Sequence, residues 1–338
     1  MKIVIHSPAF PPQIGGLEEI ARLCAVELTR QGHAVTVLCE TPNEPPVEFP
    51  FVVLRKASWR EKCRVTRECD VFLMFNMSLK GLPLPMLFRK PLVISHQGWY
   101  GAEPEDLNPR ARFKRFLSRR FATNIACSQA VADYLGGAVT VIPNAYNDKL
   151  FHLREGILRS RDILFVGRLV SDKGASLLVE AVARLAKDDV CPTVSITGVG
   201  PEEQNLRQQV TQSGLDQQFV FTGPLRGEAL ARHMNAHRIL VVPSLWAEPF
   251  GIVAVEGIAS GCMVIGSVRG GLKEAIGVCG ITFENGNEQG LARALMECLG
   301  RECSDDHHRV LSARHLKCHE VSFVVSAYVH VLNTAVRY

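Results

Sequence analysis

The chain has 338 residues, of which 47% are apolar, 21% charged and 7% aromatic, and this length predicts two domains rather than one hydrophobic core. Its formal net charge of +4 excludes the strongly basic balance of a nucleic-acid-binding protein. No apolar run reaches the roughly 18 to 20 residues of a membrane helix, and the first residues lack a signal-peptide profile, which predicts a cytoplasmic protein. The 11 cysteines include no Cys-x-x-Cys pair, so we interpret them as reduced, structural thiols.

The first half of the chain predicts an α/β domain. Residues 2–6 are apolar and β-branched, a loop rich in Pro and Gly follows, and apolar residues then recur at helical spacing from Leu17 to Leu28. Residues 35–38 resume a strand, and a strand-helix-strand unit of this kind requires parallel pairing. Further strand-like runs occupy residues 70–75, 91–95 and 124–127. We therefore expect a Rossmann-like domain over residues 1–150.

The same pattern begins again after a polar, irregular stretch. Strand-like runs alternate with helical segments at residues 163–166, 194–197, 220–222, 239–242 and 263–266, which predicts a second Rossmann-like domain over residues 151–321. Residues 322–338 carry an apolar helical face, and this helix either closes the second domain or packs back on the first. The expected fold class is α/β, with two Rossmann-like domains facing across a cleft that strand-to-helix loops line.

Two of these loops carry groups suited to phosphate. Gly15 and Gly16 precede a helix, where backbone N–H groups and the helix dipole favour an anion. The alternative is a tight turn that needs a positive φ. Arg168 and Lys173 follow the strand at residues 163–166, where a guanidinium and an ammonium can hold a diphosphate together. The alternative is that both cations belong to a solvated surface.

The most specific stretch is residues 243–256, which begins at a strand end, crosses a loop and enters a helix. It puts Glu248 in the loop and Glu256 on an otherwise apolar helix. Because a carboxylate accepts two hydroxyl hydrogen bonds at once, we expect these residues to bind sugar or ribose hydroxyls. The N–H groups at the helix start between them suit a phosphate.

These residues resemble family 4 glycosyltransferases. The resemblance rests on the Glu-x7-Glu pair of Glu248 and Glu256 within Glu-Pro-Phe-Gly-Ile, preceded by Val166-Gly-Arg and by Lys173-Gly. It covers nearly the whole chain and includes the segments Gly15–Glu18, Val93–His96, Cys127–Gln129, Val141–Asn144, Phe221–Gly223 and Gly270–Gly271. The resemblance implies the GT-B architecture and a retaining enzyme that takes a sugar from a UDP- or GDP-sugar.

The resemblance also implies roles for individual residues. Arg168 and Lys173 would hold the donor diphosphate, assisted by backbone N–H groups at Gly15 and Gly16. Glu256 would bind the ribose, and Glu248 would bind hydroxyls of the transferred sugar. The backbone along that sugar would be Phe250, Gly251 and Ile252, and the base would lie beside Pro224 and Leu225.

The implied catalytic residues are His96, near the anomeric carbon, and Glu248. A core histidine is the alternative for His96. The sequence has no Asp-x-Asp triplet, so we expect no metal and no cofactor besides the nucleotide-sugar co-substrate. Arg168, Lys173 and a helix N-terminus would stabilise the charge of the departing diphosphate. A covalent intermediate on Glu248 and a same-face displacement both stay open.

The acceptor side is expected on the first domain. Apolar residues lie beside cations at residues 80–90 and in a predicted helix that contains Arg110, Arg112, Lys114, Arg115, Arg119 and Arg120. Such a helix suits an anionic membrane surface and a lipid-linked saccharide acceptor at the cytoplasmic leaflet, against a solvated basic face with a soluble saccharide acceptor. We expect no nucleic-acid partner.

The function expected from these features is sugar transfer in the synthesis of bacterial surface polysaccharide, lipopolysaccharide or glycolipid. Two alternatives stay open. A non-hydrolysing nucleotide-sugar epimerase can share the two-domain architecture, and a catalytically silent subunit can bind a nucleotide sugar without chemistry.

Overall fold

A computed structural model of the protein describes residues 1–13, 15–106, 108–300 and 306–337. The chain divides into two compact units, one formed by Met1–Tyr146 with the residues from His319 onward and one formed by Asn147–Cys318. The sequence patterns put these borders at residues 150 and 321. Within the described ranges, no helix is both long enough and apolar enough to cross a membrane.

The first unit is built on seven strands. They are β1 (Lys2–His6), β2 (Ala34–Cys39), β3 (Val52–Arg55), β4 (Val71–Phe75), β5 (Leu92–His96), β6 (Thr123–Ala126) and β7 (Val139–Val141). All neighbours pair in parallel, in the order β3-β2-β1-β4-β5-β6-β7. The connecting helices are α1 (Gly16–Arg30), α2 (Trp59–Glu68), α3 (Pro83–Leu87), α4 (Pro109–Phe121) and α5 (Gln129–Leu135).

The central strand of this sheet, β4, is apolar throughout because both of its faces are covered. Every residue of β4 is buried, as expected for a parallel strand between two helical layers. Phe72 and Met74 face α2, α3 and α4, with which they share one apolar cluster. Their neighbour Phe75 points to the opposite face, since side chains alternate along a strand. There it stacks on Tyr328 with 6.4 Å between the ring centroids.

The second unit repeats this design with six strands. They are β8 (Arg161–Val166), β9 (Val194–Thr197), β10 (Phe219–Gly223), β11 (His237–Val242), β12 (Met263–Ser267) and β13 (Gly280–Phe283). They also pair in parallel, in the order β10-β9-β8-β11-β12-β13. The helices are α6 (Ala175–Lys187), α7 (Glu203–Gln212), α8 (Gly227–Asn235), α9 (Ile252–Ala259), α10 (Leu272–Ile276), α11 (Glu288–Leu299) and α12 (Asp306–Lys317).

The last helix, α13 (Val321–Arg337), packs against α1, β4 and β5 of the first unit. Its anchor is Tyr328, which is 2% exposed and whose hydroxyl lies 2.6 Å from Ser95 Oγ. Gln97 Nε2 donates to the same serine oxygen at 2.8 Å. Burial raises the pKa of the Tyr328 hydroxyl, so the group stays neutral and acts only through hydrogen bonds. The end of the chain is therefore an integral layer of the first unit.

Three of the buried histidines lie at the ends of strands, two in the first unit and one in the second. His6 and His96 end strands of the first sheet, and His237 begins β11 of the second. Burial lowers the pKa of each to about 4 from an ordinary value of 6.5. Each is therefore neutral in the folded chain at pH 7.

We expect Tyr328 to make a large contribution to the stability of the first unit. Tyr328→Ala should lower the free energy of unfolding by about 3 to 5 kcal/mol because it leaves a cavity and removes one of the two hydrogen-bond partners of Ser95 Oγ. Tyr328→Phe should cost about 1 kcal/mol, the value of one buried hydrogen bond. Urea denaturation of the whole chain measures both. Phe323→Ala, at an exposed position of the same helix, is the matched control, and an equal cost there would contradict this assignment.

We also expect stability to fall on mild acidification. Because the three histidines bind protons near pH 6.5 when unfolded and only near pH 4 when folded, their contribution is complete above pH 6.5 and is lost as pH falls toward 4. Each should contribute a slope of about 1.4 kcal/mol per pH unit in that window. Urea midpoints from pH 7.5 to 4.5 measure it. An unchanged midpoint across that range would refute the burial argument.

Candidate functional site

The order in which the chain adds strands to the second sheet reverses at one point. From β8 the chain builds β9 and β10 on one side, and it then returns to build β11, β12 and β13 on the other. The loops that leave β8 and β11 therefore diverge over neighbouring strands. In open parallel sheets, ligands bind in the crevice at such a point, outside the carboxyl ends of the strands. The two most distinctive motifs of the second half occupy these two loops.

The two loops are in direct backbone contact. Gly174 has a φ of +68°, and a Cβ at this position would collide with the carbonyl oxygen of Pro243. The backbone N–H of Leu245 donates to the carbonyl of Asp172 at 2.8 Å. A residue larger than glycine at position 174 would therefore force the loops apart. This contact sets the distance between the side chains that the loops carry.

Lys173 and Glu248 meet across this contact. Lys173 Nζ donates to Glu248 Oε1 at 2.6 Å, and Ser244 Oγ donates to the same oxygen at 2.7 Å. Glu248 is only 7% exposed and Ser244 is fully buried. The ammonium also lies 5.1 Å from the ring centroid of Trp246, in a cation–π contact. The structure thus brings together two residues that the sequence separates by 75 positions.

Arg168 stands in the same loop as Lys173 but in a different environment. Its side chain is exposed, and its guanidinium forms no hydrogen bond or ion pair with the described part of the chain. An unpaired guanidinium beside a paired ammonium is a combination that can bind an anion with two or more oxygens. The solvated-surface alternative describes Arg168 but not Lys173.

The loop after β11 ends at the N-terminus of α9. Gly251 caps the helix with a φ of +93°, and a Cβ there would meet a methyl group of Leu272. The N–H groups of Ile252 and Val253 have no acceptor among the described residues, so they are available to an anion. Phe250 is buried just before the cap. Glu256 lies one turn into the helix and is half-buried.

Asn285 is a residue of this site that the sequence did not reveal. It follows β13, and its side-chain amide donates to three successive carbonyls, those of Ser244, Leu245 and Trp246, at 2.9 to 3.3 Å. Its own carbonyl oxygen accepts from the backbone of Arg269 at 3.0 Å. Asn285 therefore fixes the loop that carries Glu248. A lone asparagine after a short strand gives no signal of this in the sequence.

Pro224 and Leu225 follow the edge strand β10, at the same carboxyl edge of the sheet. Pro224 is exposed and Leu225 is half-buried. At about 4.8 Å per strand, the end of β10 stands roughly 10 Å from the end of β8. The glycine turn at Gly198 and Gly200 packs on the backbone of Gly167 and Leu169, and this contact explains its glycines without a ligand.

Gly15 and Gly16 lie at the equivalent point of the first sheet, where β1 and β4 diverge. Gly15 has a φ of 172°, which is extended backbone, so the tight-turn alternative with a positive φ is wrong. The N-cap residue of α1 is Gly15, which has no side chain to make a capping hydrogen bond. The carboxylate of Glu18 lies so close to Gly15 that a Cβ at position 15 would collide with it. A carboxylate of the chain itself therefore adjoins this helix N-terminus.

His96 is not accessible as the resemblance implied. The residue is fully buried, with Nδ1 2.5 Å from the Tyr100 hydroxyl and Nε2 2.8 Å from Asn124 Oδ1. Asn124 Oδ1 can only accept, so Nε2–H donates to it, and Nδ1 of the neutral ring then accepts from the Tyr100 hydroxyl. Neither ring nitrogen is left for a substrate. The geometry favours the alternative of a core histidine over a catalytic side chain.

The basic helix of the first unit is α4, and its six cations do not share one environment. Arg110, Arg112, Arg119 and Arg120 are exposed. Lys114 and Arg115 instead turn onto the rings of Tyr100 and Tyr134, at 5.0 Å and 4.7 Å from the centroids, and burial lowers the pKa of both cations. These two cations also pack on aromatic rings, and the assignment of the helix to an anionic membrane surface stays a prediction.

The described residues contain no group of three or more His, Cys, Asp or Glu side chains arranged to hold a metal ion.

Both halves of the chain match models of known families. Residues 14–150 match the model described as Glycosyltransferase Family 4, and residues 160–301 match the model described as Glycosyl transferases group 1. Together the two models cover about four-fifths of the chain. Their border lies near the division between the two structural units.

Named relatives agree with these models. A glycogen synthase of Mycobacterium tuberculosis is 29% identical over 88% of this chain and 86% of its own length. A D-inositol 3-phosphate glycosyltransferase of Geodermatophilus obscurus is 36% identical over 41% of this chain, and the match spans only a third, 33%, of that relative.

Among solved structures, the Anabaena protein Alr3699/HepE in complex with UDP superposes with a TM-score of 0.81 and 23% identity, over 99% of this chain and 100% of that one. At this identity the likeness establishes the fold alone, two parallel-sheet α/β units as in GT-B glycosyltransferases. With its two halves matched by the two family models, the chain belongs to the family 4-like glycosyltransferases.

Proposed function

We propose that the chain is a retaining glycosyltransferase that moves a hexosyl unit from a UDP- or GDP-sugar to a saccharide or lipid-linked acceptor. The observation that carries the proposal is the contact between Lys173 and Glu248 at the switch point of the second sheet. It joins a cation suited to a diphosphate with a carboxylate suited to sugar hydroxyls. A nucleotide sugar contains both a diphosphate and sugar hydroxyls, and one glycosidic bond joins the diphosphate to the sugar.

The neighbouring groups support this division of roles. Arg168 and the N–H groups of Ile252 and Val253 have no partner among the described residues and are available to bind the phosphates together with Lys173. Glu248 Oε2 accepts no hydrogen bond from the described residues, so it is available to a sugar hydroxyl. Glu256 is assigned to the ribose, and Pro224 with Leu225 to the base. The complexes of Alr3699/HepE with UDP make UDP the first donor nucleotide to examine.

The reaction then needs charge stabilisation more than covalent chemistry. The bond between the anomeric carbon and the diphosphate oxygen breaks, and Arg168, Lys173 and the α9 N-terminus stabilise the charge that develops on the leaving group. The acceptor oxygen bonds to the same face of the anomeric carbon, and its proton passes to the departing phosphate. A covalent intermediate on Glu248 remains the second route, since the carboxylate is at hand. Neither route requires a metal ion.

The donor assignment predicts selective stabilisation by one nucleotide. UDP, GDP and their sugar conjugates are added to the full chain, and the correct class should raise the melting temperature because it binds only the folded state. Arg168→Ala and Glu256→Ala should each weaken binding by about tenfold or more, since each removes a charged hydrogen-bonding group. Arg293→Ala, at an exposed arginine of α11, is the matched control.

Two outcomes would contradict the assignment. Folded protein that no nucleotide at millimolar concentration stabilises would overturn the diphosphate site. Binding that survives Arg168→Ala and Glu256→Ala unchanged would move the site elsewhere. An epimerase is distinguished by an isomerised nucleotide sugar formed without any acceptor, and a silent subunit by binding without turnover.

The acceptor side of the proposal rests on the helical layer of α2, α3 and α4, which covers one face of the first sheet. On α4, Phe113 and Phe116 are 51% and 60% exposed and lie between exposed arginines. On α2, Trp59 is exposed beside an arginine stripe formed by Arg60, Arg64 and Arg67. On α3, Met86 and Leu87 are exposed. Exposed aromatic side chains among cations favour an anionic lipid surface, and with it a lipid-linked acceptor.

We expect salt-sensitive binding to anionic vesicles. Phosphatidylglycerol vesicles should sediment the full chain at low salt, and phosphatidylcholine vesicles should not, because the exposed arginines need an anionic lipid as partner. Added salt should reduce the binding, because it screens exposed charges. Arg112→Glu with Arg120→Glu should abolish binding, whereas Lys187→Glu with Arg293→Glu in the second unit should not. Equal sedimentation of both variants, or none of the unchanged chain, would favour a soluble acceptor.

A further inference from the structure

The Lys173 ammonium that is assigned to the diphosphate already has an anionic partner within the chain. Glu248 Oε1 lies 2.6 Å from Lys173 Nζ, and the carboxylate is 7% exposed. A carboxylate this buried is costly to leave without donors. A lysine ammonium has three N–H donors, so a diphosphate can bind Lys173 beside Glu248, but the two anions then compete for one positive charge.

The surroundings limit how this competition can be resolved. Ser244 is the second donor to Glu248 Oε1, so one hydrogen bond remains when Lys173 turns away. The Trp246 ring, 5.1 Å from Lys173 Nζ, lets the ammonium shift between anions without losing its cation–π contact. Asn285 holds the backbone of Ser244 and Trp246, so the loop cannot follow the lysine. The carboxylate must find its replacement donor in the ligand.

We propose that the Lys173–Glu248 ion pair is a coupling element that makes the site favour a nucleotide sugar over the bare nucleoside diphosphate. When the intact donor binds, its diphosphate recruits Lys173 and its sugar hydroxyls replace the ammonium at Glu248. When the sugar has been transferred, Glu248 loses those hydroxyls and recovers Lys173, which weakens the hold on the product diphosphate. The inference rests on the proposed function and adds to it a means of releasing product.

The Glu248→Gln variant tests this coupling directly. Glutamine keeps the shape of the side chain but removes the charge that competes for Lys173. Titration calorimetry with inorganic pyrophosphate and with UDP should show binding about five- to tenfold tighter in Glu248→Gln than in the unchanged chain, the range of a modest coupling free energy. The preference for UDP-glucose over UDP should shrink in the same variant. Unchanged or weaker pyrophosphate binding in Glu248→Gln would overturn the proposal.

Ser244→Ala should act in the opposite direction. Without the serine hydroxyl, Glu248 depends more on Lys173, so pyrophosphate and UDP should bind more weakly although Ser244 is assigned no contact with either. A variant that only loosened the loop would not give opposite signs for positions 244 and 248. Glu288→Gln, which removes the carboxylate paired with Arg184 in the same unit, is the matched control and should leave pyrophosphate binding unchanged.

A double-mutant cycle completes the test. In Lys173→Met, the Glu248→Gln change should no longer tighten pyrophosphate binding, because the ammonium for which Glu248 and pyrophosphate compete is absent. Circular dichroism and melting temperatures confirm that each variant is folded.

Nucleotide binding without the Glu248→Gln effect would refute the coupling and keep the proposed function. The Glu248→Gln effect on pyrophosphate without binding of any nucleotide would keep the coupling and refute the proposed donor class, and absence of both would refute both.

Discussion

Parallel pairing is the constraint from which the candidate site follows. Each strand of the second sheet must be joined to the next by a crossover, so all of its carboxyl ends lie at one edge. Where the order reverses between β8 and β11, the two departing loops diverge over neighbouring strands, the place at which open parallel sheets bind ligands. Arg168 and Lys173 leave one strand there, and Glu248 leaves the other. Their meeting is thus a consequence of topology, although 75 residues separate Lys173 from Glu248.

Topology brings the loops to the same edge, and close backbone packing then fixes the distance between their side chains. Gly174 packs on the carbonyl of Pro243, and Gly270 packs equally closely on the carbonyl of Glu248, so neither position tolerates a Cβ. The backbone of Gly271 donates to the Glu248 carbonyl at 2.7 Å. These contacts clamp Glu248 between the loops that follow β8 and β12. Since the Lys173 side chain is flexible and the carboxylate is held, the lysine is the partner free to move toward a ligand.

Strand runs, glycine loops and the Glu248 and Glu256 pair were predictable from the sequence because they are local patterns. The short strands β3, β7 and β13 and the helix α2 were not predicted. The helix α2 (Trp59–Glu68) has only a broken apolar stripe, and the capping box of Ser58 with Glu61 was the available signal. The inward turn of Lys114 and Arg115 depends on tyrosines elsewhere in the chain. The burial of His96 and the three hydrogen bonds from Asn285 to the loop of residues 244–246 likewise depend on tertiary partners, which no spacing in the sequence encodes.

A half-buried cation that can bind a ligand's phosphate destabilises the unliganded fold unless another anion pairs with it. A half-buried ammonium without a counterion loses hydration and gains nothing, so a carboxylate of the chain is the simplest partner. Glu248 serves Lys173 in this way, and Glu18 stands against the N-terminus of α1 in the first unit. Such a partner lowers the affinity for every anion, but it does so unequally. In the proposed coupling, a ligand that brings its own hydroxyl donors compensates the displaced carboxylate, whereas phosphate alone does not, so the internal counterion also provides selectivity for a sugar-bearing diphosphate.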